Sequence, residues 1–189
     1  MQDGYVCGID EAGRGPLAGP VVAACVVLGP DFPIHLLDDS KKLSQNRRAR
    51  LEILIKEEAL CWSAALATAQ EIDRLNILEA TMLAMRRAYD KIPLPIAQAL
   101  IDGNRCPPLP CPTVAIVKGD ATIPPIMAAS IIAKETRDRI MRLASVKWPL
   151  YHFEAHKGYP TALHRQICAT YGLSPIHRRS FSIVQGELF

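Results

Sequence analysis

The chain has 189 residues, 49% of them apolar and 22% charged, a balance that excludes disorder, fibre and coiled coil and suits one domain with a substantial core. Its formal charge of +3 is unevenly spread: from Lys134 onward nine Lys/Arg face four acids, while thirteen face fifteen before it. A basic C-terminal third on a more acidic body suits a polyanionic partner.

Residues 5–9 read as a short strand running into Asp10-Glu11-Ala12-Gly13-Arg14-Gly15. Residues 17–28 are apolar, β-branched and nearly uncharged, which predicts a strand buried on both faces. That run has signal-peptide length, yet Asp3, Asp10 and Glu11 precede it instead of a basic leader, and it falls short of the ~20 residues a membrane span needs. A cytoplasmic protein with no membrane segment is expected. Ser44 caps a predicted helix carrying Leu51, Ile53, Leu54 and Ile55. Residues 61–67 read as a third strand, although their alanines also allow a helix. Asn76-Ile-Leu-Glu79 opens a helix to about Ala88 in the manner of a capping box. Two short apolar runs follow at 96–101 and 113–117. Pro124-Pro125 then open a long helix to about Val146, and Pro160 opens another ending near Gly172. Strands that come first and then alternate with helices predict an α/β sandwich, a central mixed β-sheet flanked by helices. Its predicted extent is 1–149, with a small basic helical extension over 150–189.

The six cysteines, at 7, 25, 61, 106, 111 and 168, include no Cys-x-x-Cys pair, so reduced thiols are expected. Cys106 and Cys111 flank a Pro-rich loop, but two thiols do not make a zinc site. His152 and His156 have helical ligand spacing without the His-Glu-x-x-His pattern, and read as surface or phosphate-facing.

The acids carry more information. Three apolar runs end in carboxylates: the first in Asp10-Glu11, the fourth in Asp102, the fifth in Asp120 after Lys118-Gly119. Open α/β sheets hold ligands at the carboxyl ends of their strands. If these strands are neighbours, the acids converge, and two carboxylates ~4 Å apart repel by about 4 kcal/mol at an effective dielectric near 20. Such a cluster calls for cations or raised pKa values, and all-oxygen ligation favours Mg²⁺ or Mn²⁺ over zinc. Strand alternation sends Asp10 and Glu11 to opposite faces, so either the strand twists there or each serves a different ion. Acids after strands also serve as caps and turn formers, a reading that spacing alone leaves open.

Gly8-Ile-Asp10-Glu11-Ala-Gly13-Arg14-Gly15-Pro-Leu-Ala-Gly-Pro closely resembles the signature of ribonuclease HII, the type 2 ribonuclease H. So do Asp39-Ser-Lys41-Lys42-Leu-Ser44, Asp102-Gly-Asn104-Arg, Lys118-Gly-Asp120 and Ala128-Ala-Ser130-Ile-Ile-Ala-Lys134, and also His156-Lys-Gly-Tyr159-Pro-Thr161 and His177-Arg-Arg179-Ser-Phe. The match spans nearly the whole chain in order. The resemblance implies an RNase H-like fold and a divalent-metal endonuclease, with Asp10, Glu11, Asp102 and Asp120 as catalytic metal-site acids. The implied reaction is hydrolysis of the RNA strand of RNA–DNA hybrids, including incision 5′ of a ribonucleotide embedded in duplex DNA. The implied products are a 5′-phosphate and a 3′-hydroxyl.

Discrimination requires a group that feels a 2′-hydroxyl. Gly13-Arg14-Gly15 suits this, because glycines let backbone amides approach a sugar closely. The resemblance pairs that tripeptide with Tyr159, whose ring would pack on the deoxyribose after the ribonucleotide. A tight turn and a half-buried aromatic are the plainer readings. Lys41, Lys42, Lys118, Lys134, Arg178 and Arg179 are candidates for phosphate contacts, as is Ser130. The C-terminal Gln185, Leu188 and Phe189 resemble the peptide with which replication proteins dock on the bacterial sliding clamp; a tail folded onto the body is the alternative. Nothing calls for more than a monomer. Two competing classes are another RNase H-like phosphoryl transferase without the ribose sensor, and a non-catalytic nucleic-acid-binding module.

Overall fold

The computed structural model describes residues 4–38 and 40–182. Five strands, β1 (Tyr5–Ala12), β2 (Val21–Val27), β3 (Cys61–Ala67), β4 (Ile96–Asp102) and β5 (Thr113–Ile116), form one sheet in the order β3-β2-β1-β4-β5. The first three pair antiparallel as a meander, and β1-β4 and β4-β5 pair parallel. The mixed sheet expected from the sequence is therefore present. The apolar run at 17–28 contributes a shorter strand than its composition suggests, but all seven residues of β2 are buried. Residues 17–20 instead form a connecting segment, in which Ala18 bridges His177.

Among the described residues the helices are α1 (Gln45–Glu58), α2 (Ala69–Leu75), α3 (Ile77–Tyr89) and α4 (Pro124–Lys147), which flank the sheet, with α5 (Phe153–His156) and α6 (Ala162–Tyr171) beyond it. Strand alternation divides the core. Cys7, Ile9, Ala23 and Cys25 pack under Ile72 of α2 and Ala80, Ala84 and Met85 of α3. Ala24 and Val26 face α1 and α4 through Leu51, Ile55, Ile131 and Ile132. Gly8 lets the start of α4 lie directly on β1, since a Cβ there would overlap the backbone of Pro125 and Ile126. A third cluster of Ala18, Met141, Ala144, Tyr151, Phe153 and Ile167 joins α5 and α6 to the far end of α4.

Helix starts follow their caps. Ser44 accepts from the Arg47 N–H, and Asn76 accepts from the N–H groups of Leu78 and Glu79. The unexpected α2 begins with a full capping box between Thr68 and Glu71. The outer edge of β3 is also occupied: Lys91 Nζ donates to Ala64 O at 2.8 Å and Arg87 to Leu66 O at 3.0 Å. Among the described residues, no helix is long and apolar enough to cross a membrane.

Candidate active site

Parallel register brings the acids together. Ile9 lies opposite Ile101, so the next positions, Asp10 and Asp102, are neighbours at the carboxyl ends of β1 and β4. Asp102 faces Ile116, after which Lys118 in a left-handed conformation turns the chain back. The Asp120 N–H then donates to Asp102 Oδ1 at 3.1 Å. One carboxylate oxygen from each of Asp10, Asp102 and Asp120 lies within 4.8 Å of the others.

Glu11 stands outside this trio. Alternation turns it toward α3, beside Thr81, Met82 and Met85, where Arg14 approaches its Oε1 at 3.4 Å. The pleat thus separates the two adjacent acids, as the strand geometry predicts.

The trio suits a hard cation. Burial pushes the Asp10 carboxyl well above the ordinary carboxylate range, and Glu11 and Asp102 push it further. Burial raises Glu11 too, against the pull of Arg14, and it raises Asp102 against the hydrogen bond from the Asp120 N–H. Lys41 already supplies one positive charge, its Nζ lying 2.6 Å from Asp120 Oδ2. That side chain is 77% exposed, so it can swing away without opening the core. An all-oxygen donor set with excess negative charge fits Mg²⁺ or Mn²⁺.

A cleft of about 370 Å³ opens over Asp10, Glu11 and Asp102. Gly13, Arg14, Gly15, Lys41, Ser130, Lys134 and Tyr159 line it as well, so ten of the expected residues share one surface. Ser130 Oγ sits 2.7 Å from Ser40 Oγ and donates to Asp10. Lys134 Nζ holds Asp138 at 2.7 Å. Tyr159 is 42% exposed.

Other expected residues lie elsewhere. Lys42 and Lys118 are exposed but do not line the cleft. Arg179 is exposed beside Asp73 of α2, which accepts its backbone N–H. Arg178 corrects the sequence reading outright. It is fully buried and cannot meet a phosphate; it donates instead to Gly13 O (2.5 Å), Arg14 O (2.8 Å) and Gly19 O (3.0 Å). Gly13 adopts φ +101°, and a Cβ there would overlap Arg137 Nε, so two buried arginines shape the loop from below. Gln185, Leu188 and Phe189 lie outside the described residues.

Sequence reasoning missed Ser40, Arg48 and a histidine cluster. Arg48 lines the cleft and ties Glu135 to Leu43 O, yet within Arg47-Arg48 it reads as solvated charge. His156, expected at the surface, is buried, as are His164 and His177. Burial depresses all three imidazoles, with His164 the next cause for the other two, and it takes His156 and His177 down to about 4. Because the folded values lie below the ordinary 6.5, these rings stabilise the fold fully above pH 6.5, and that contribution drains away as pH falls toward 4. Ring-proton NMR at pH 5.5 is expected to find His156 and His177 neutral; a midpoint near 6.5 for either contradicts this. The six cysteines are free thiols, and among the described residues Cys106 and Cys111 belong to no metal-competent cluster.

Comparison with known proteins agrees with this geometry. A family model described as Ribonuclease HII matches residues 7–184. Over 185 residues the chain is 56% identical to a ribonuclease HII of Dechloromonas aromatica (strain RCB), covering 98% of this chain and 94% of that one. Among solved structures, the ribonuclease H2 of Pyrococcus horikoshii OT3 aligns with a TM-score of 0.78 and 26% identity, over 95% of this chain and 94% of the other. The ribonuclease HII of a PCNA:RNase HII complex from Archaeoglobus fulgidus aligns with a TM-score of 0.75 and 26% identity, over 97% and 98%.

Proposed function

Because the chain belongs to the ribonuclease HII family, with its RNase H-like fold and endoribonuclease activity on RNA–DNA hybrids, we propose that it incises 5′ of ribonucleotides embedded in duplex DNA, in a divalent-metal-dependent reaction. The observation that carries this reading is the acid trio, two of whose members, Asp10 and Asp102, line one cleft with Gly13-Arg14-Gly15 and Tyr159. Asp10, Glu11, Asp102 and Asp120 would hold Mg²⁺ or Mn²⁺. The chemistry such ions supply is activation of water and relief of charge on the leaving oxygen, which leaves a 5′-phosphate and a 3′-hydroxyl.

The chain's own residues do the positioning. Exposed backbone at Arg14 and Gly15 is free to hydrogen-bond a 2′-hydroxyl, while Arg178 holds the same loop from beneath through its carbonyls. The Tyr159 ring, whose edge lies 3.8 Å from where a Gly15 Cβ would stand, would pack on the next sugar, where an extra hydroxyl crowds it. Lys41 and Lys134 supply cations beside the acids, and Ser130 an oriented hydroxyl, so these three would grip the phosphates around the scissile bond. Lys42, Lys118 and Arg179, being exposed, would add only sequence-independent attraction to more distant phosphates. Such a substrate puts the work in the cytoplasm. The C-terminal Gln185, Leu188 and Phe189 would tether the enzyme to a sliding clamp, a reading supported by the PCNA complex of the Archaeoglobus neighbour.

The test is denaturing-gel cleavage of a DNA duplex bearing one ribonucleotide, with Mg²⁺, Mn²⁺ or chelator, beside an all-DNA control. Incision on the 5′ side of the ribonucleotide, only with metal, is the expected result. Cutting of both duplexes would point to a general phosphoryl transferase lacking a sugar sensor. Binding without cutting under any ion would leave a nucleic-acid-binding module.

A further inference from the structure

Beneath Tyr159 lie four buried groups, of which His156 and His164 bond its backbone and His177 joins Cys168 to His164. Their partners fix the proton on each ring. His164 Nδ1 lies 2.9 Å from the Tyr159 carbonyl oxygen, which can only accept, so His164 is protonated there and bare at Nε2. The Ser174 N–H donates to His177 Nδ1 at 2.9 Å, which leaves the His177 proton on Nε2. That proton faces His164 Nε2 at 3.0 Å and Cys168 Sγ at 3.2 Å. The Gly158 N–H likewise donates to His156 Nδ1, and His156 Nε2 donates to Tyr151 O at 2.8 Å. Every ring nitrogen is matched, donor to acceptor, with all three imidazoles neutral.

His164, Cys168 and His177 have the composition of a zinc site, with ligand atoms within 4.8 Å of one another. The protons argue against that use. A metal on His177 Nε2 needs the ring proton on Nδ1, where the Ser174 N–H already points.

We propose that His164 is a positioning residue for substrate discrimination: its Nδ1–H bond to the Tyr159 carbonyl, backed by His177, sets where the Tyr159 ring stands at the cleft rim. The half-exposed ring stands over the Arg137 guanidinium, 5.8 Å from its centre, and its backbone is bonded on both sides. The Tyr159 N–H donates to His156 O, its carbonyl accepts from His164 and the Thr161 N–H, and the His156 and His164 rings stack 4.1 Å apart. Next in the chain, Gly158 O accepts the Leu17 N–H, which links the arrangement to the Gly13–Gly15 side of the cleft. The inference rests on the sugar-reading role given to Tyr159 above.

Two isopolar variants separate the parts. In His164→Asn the amide nitrogen falls near the Nδ1 position and keeps the donor to Tyr159. In His164→Gln the amide oxygen reaches the Nε2 position, accepts the His177 proton there, and the donor to Tyr159 is lost. The readout is the ratio of cleavage of a single-ribonucleotide duplex to cleavage of a continuous RNA–DNA hybrid, measured well below each variant's unfolding midpoint. The ratio is expected to stay within about twofold of wild type in His164→Asn and to fall about tenfold in His164→Gln, as loss of one buried hydrogen bond allows. Should the glutamine variant not fold, His164→Met, apolar and of similar length, removes the same donor. Equal ratios in both variants, or a ratio that follows the unfolding midpoint, overturn the proposal. Stoichiometric zinc in the wild type that Cys168→Ala loses also overturns it. Tyr159→Ala distinguishes the two failures: an unchanged ratio there removes the sugar-reading role itself, whereas a lowered ratio beside a normal His164→Gln removes only the role of His164.

Discussion

Asp10→Asn is expected to cut turnover at least about a thousandfold while leaving the metal-free protein folded and more heat-stable. Asparagine keeps the shape and still accepts the Glu11 N–H that Asp10 Oδ1 takes at 2.7 Å. What disappears is a buried negative charge crowded by two others. Since the folded-state pKa of Asp10 is raised, that carboxyl favours folding only when protonated, below the ordinary 3.8, and this contribution is lost as pH rises through the raised value. At neutral pH the bare carboxylate is a net cost, which the amide removes. Bound cation offsets the same cost in the wild type, where saturation at about a hundred times Kd adds about 2.7 kcal/mol, some 2–4 °C of midpoint for each kcal/mol. Thermal unfolding with chelator, Mg²⁺ or Mn²⁺ checks this beside the cleavage assay. A wild-type ion-induced shift in Asp10→Asn would mean that the ion binds elsewhere.

Arg178→Met is expected to lower stability by about 3–5 kcal/mol, because three carbonyls lose a charged donor inside the core. Burial and the nearby Arg137 already depress the guanidinium to about 9, and its hydrogen bonds to those oxygens work against that cost. Methionine refills much of the volume without the donors. The midpoint should drop by roughly 10 °C, and the preference for a ribonucleotide should fall as the Gly13–Gly15 loop loosens. Binding measured against salt concentration should keep its wild-type slope, because no phosphate contact is lost. A slope shallower by about one unit would return Arg178 to the phosphate-binding set.

The acids were legible in the sequence because apolar runs announce strands, and the carboxylates follow at their ends. The other expected cleft residues were named through the resemblance carried by the motifs around Asp10, Lys41, Ser130 and Tyr159. Arg178 was misread because its partners are backbone carbonyls of Gly13, Arg14 and Gly19, which no residue type reveals. The His164, Cys168 and His177 cluster was missed because its third member lies beyond the end of α6, nine residues from Cys168, so that only the fold brings it to the pair on the helix. The helix α2 escaped because it buries only Ala69 and Ile72, too few to set up a period, although Thr68 and Glu71 stood at capping-box spacing.

The bond between Arg178 and Gly13 O closes a span of 165 residues, whereas all four acids lie within the first 120 positions. A ribosome releases the chain from its N-terminus, so a growing polypeptide carries its carboxylates well before the Arg178 side chain that holds the Gly13–Gly15 loop beside them. Contacts of such long separation also form late in folding. The loop next to the acids therefore gains its buried support only near the end of synthesis.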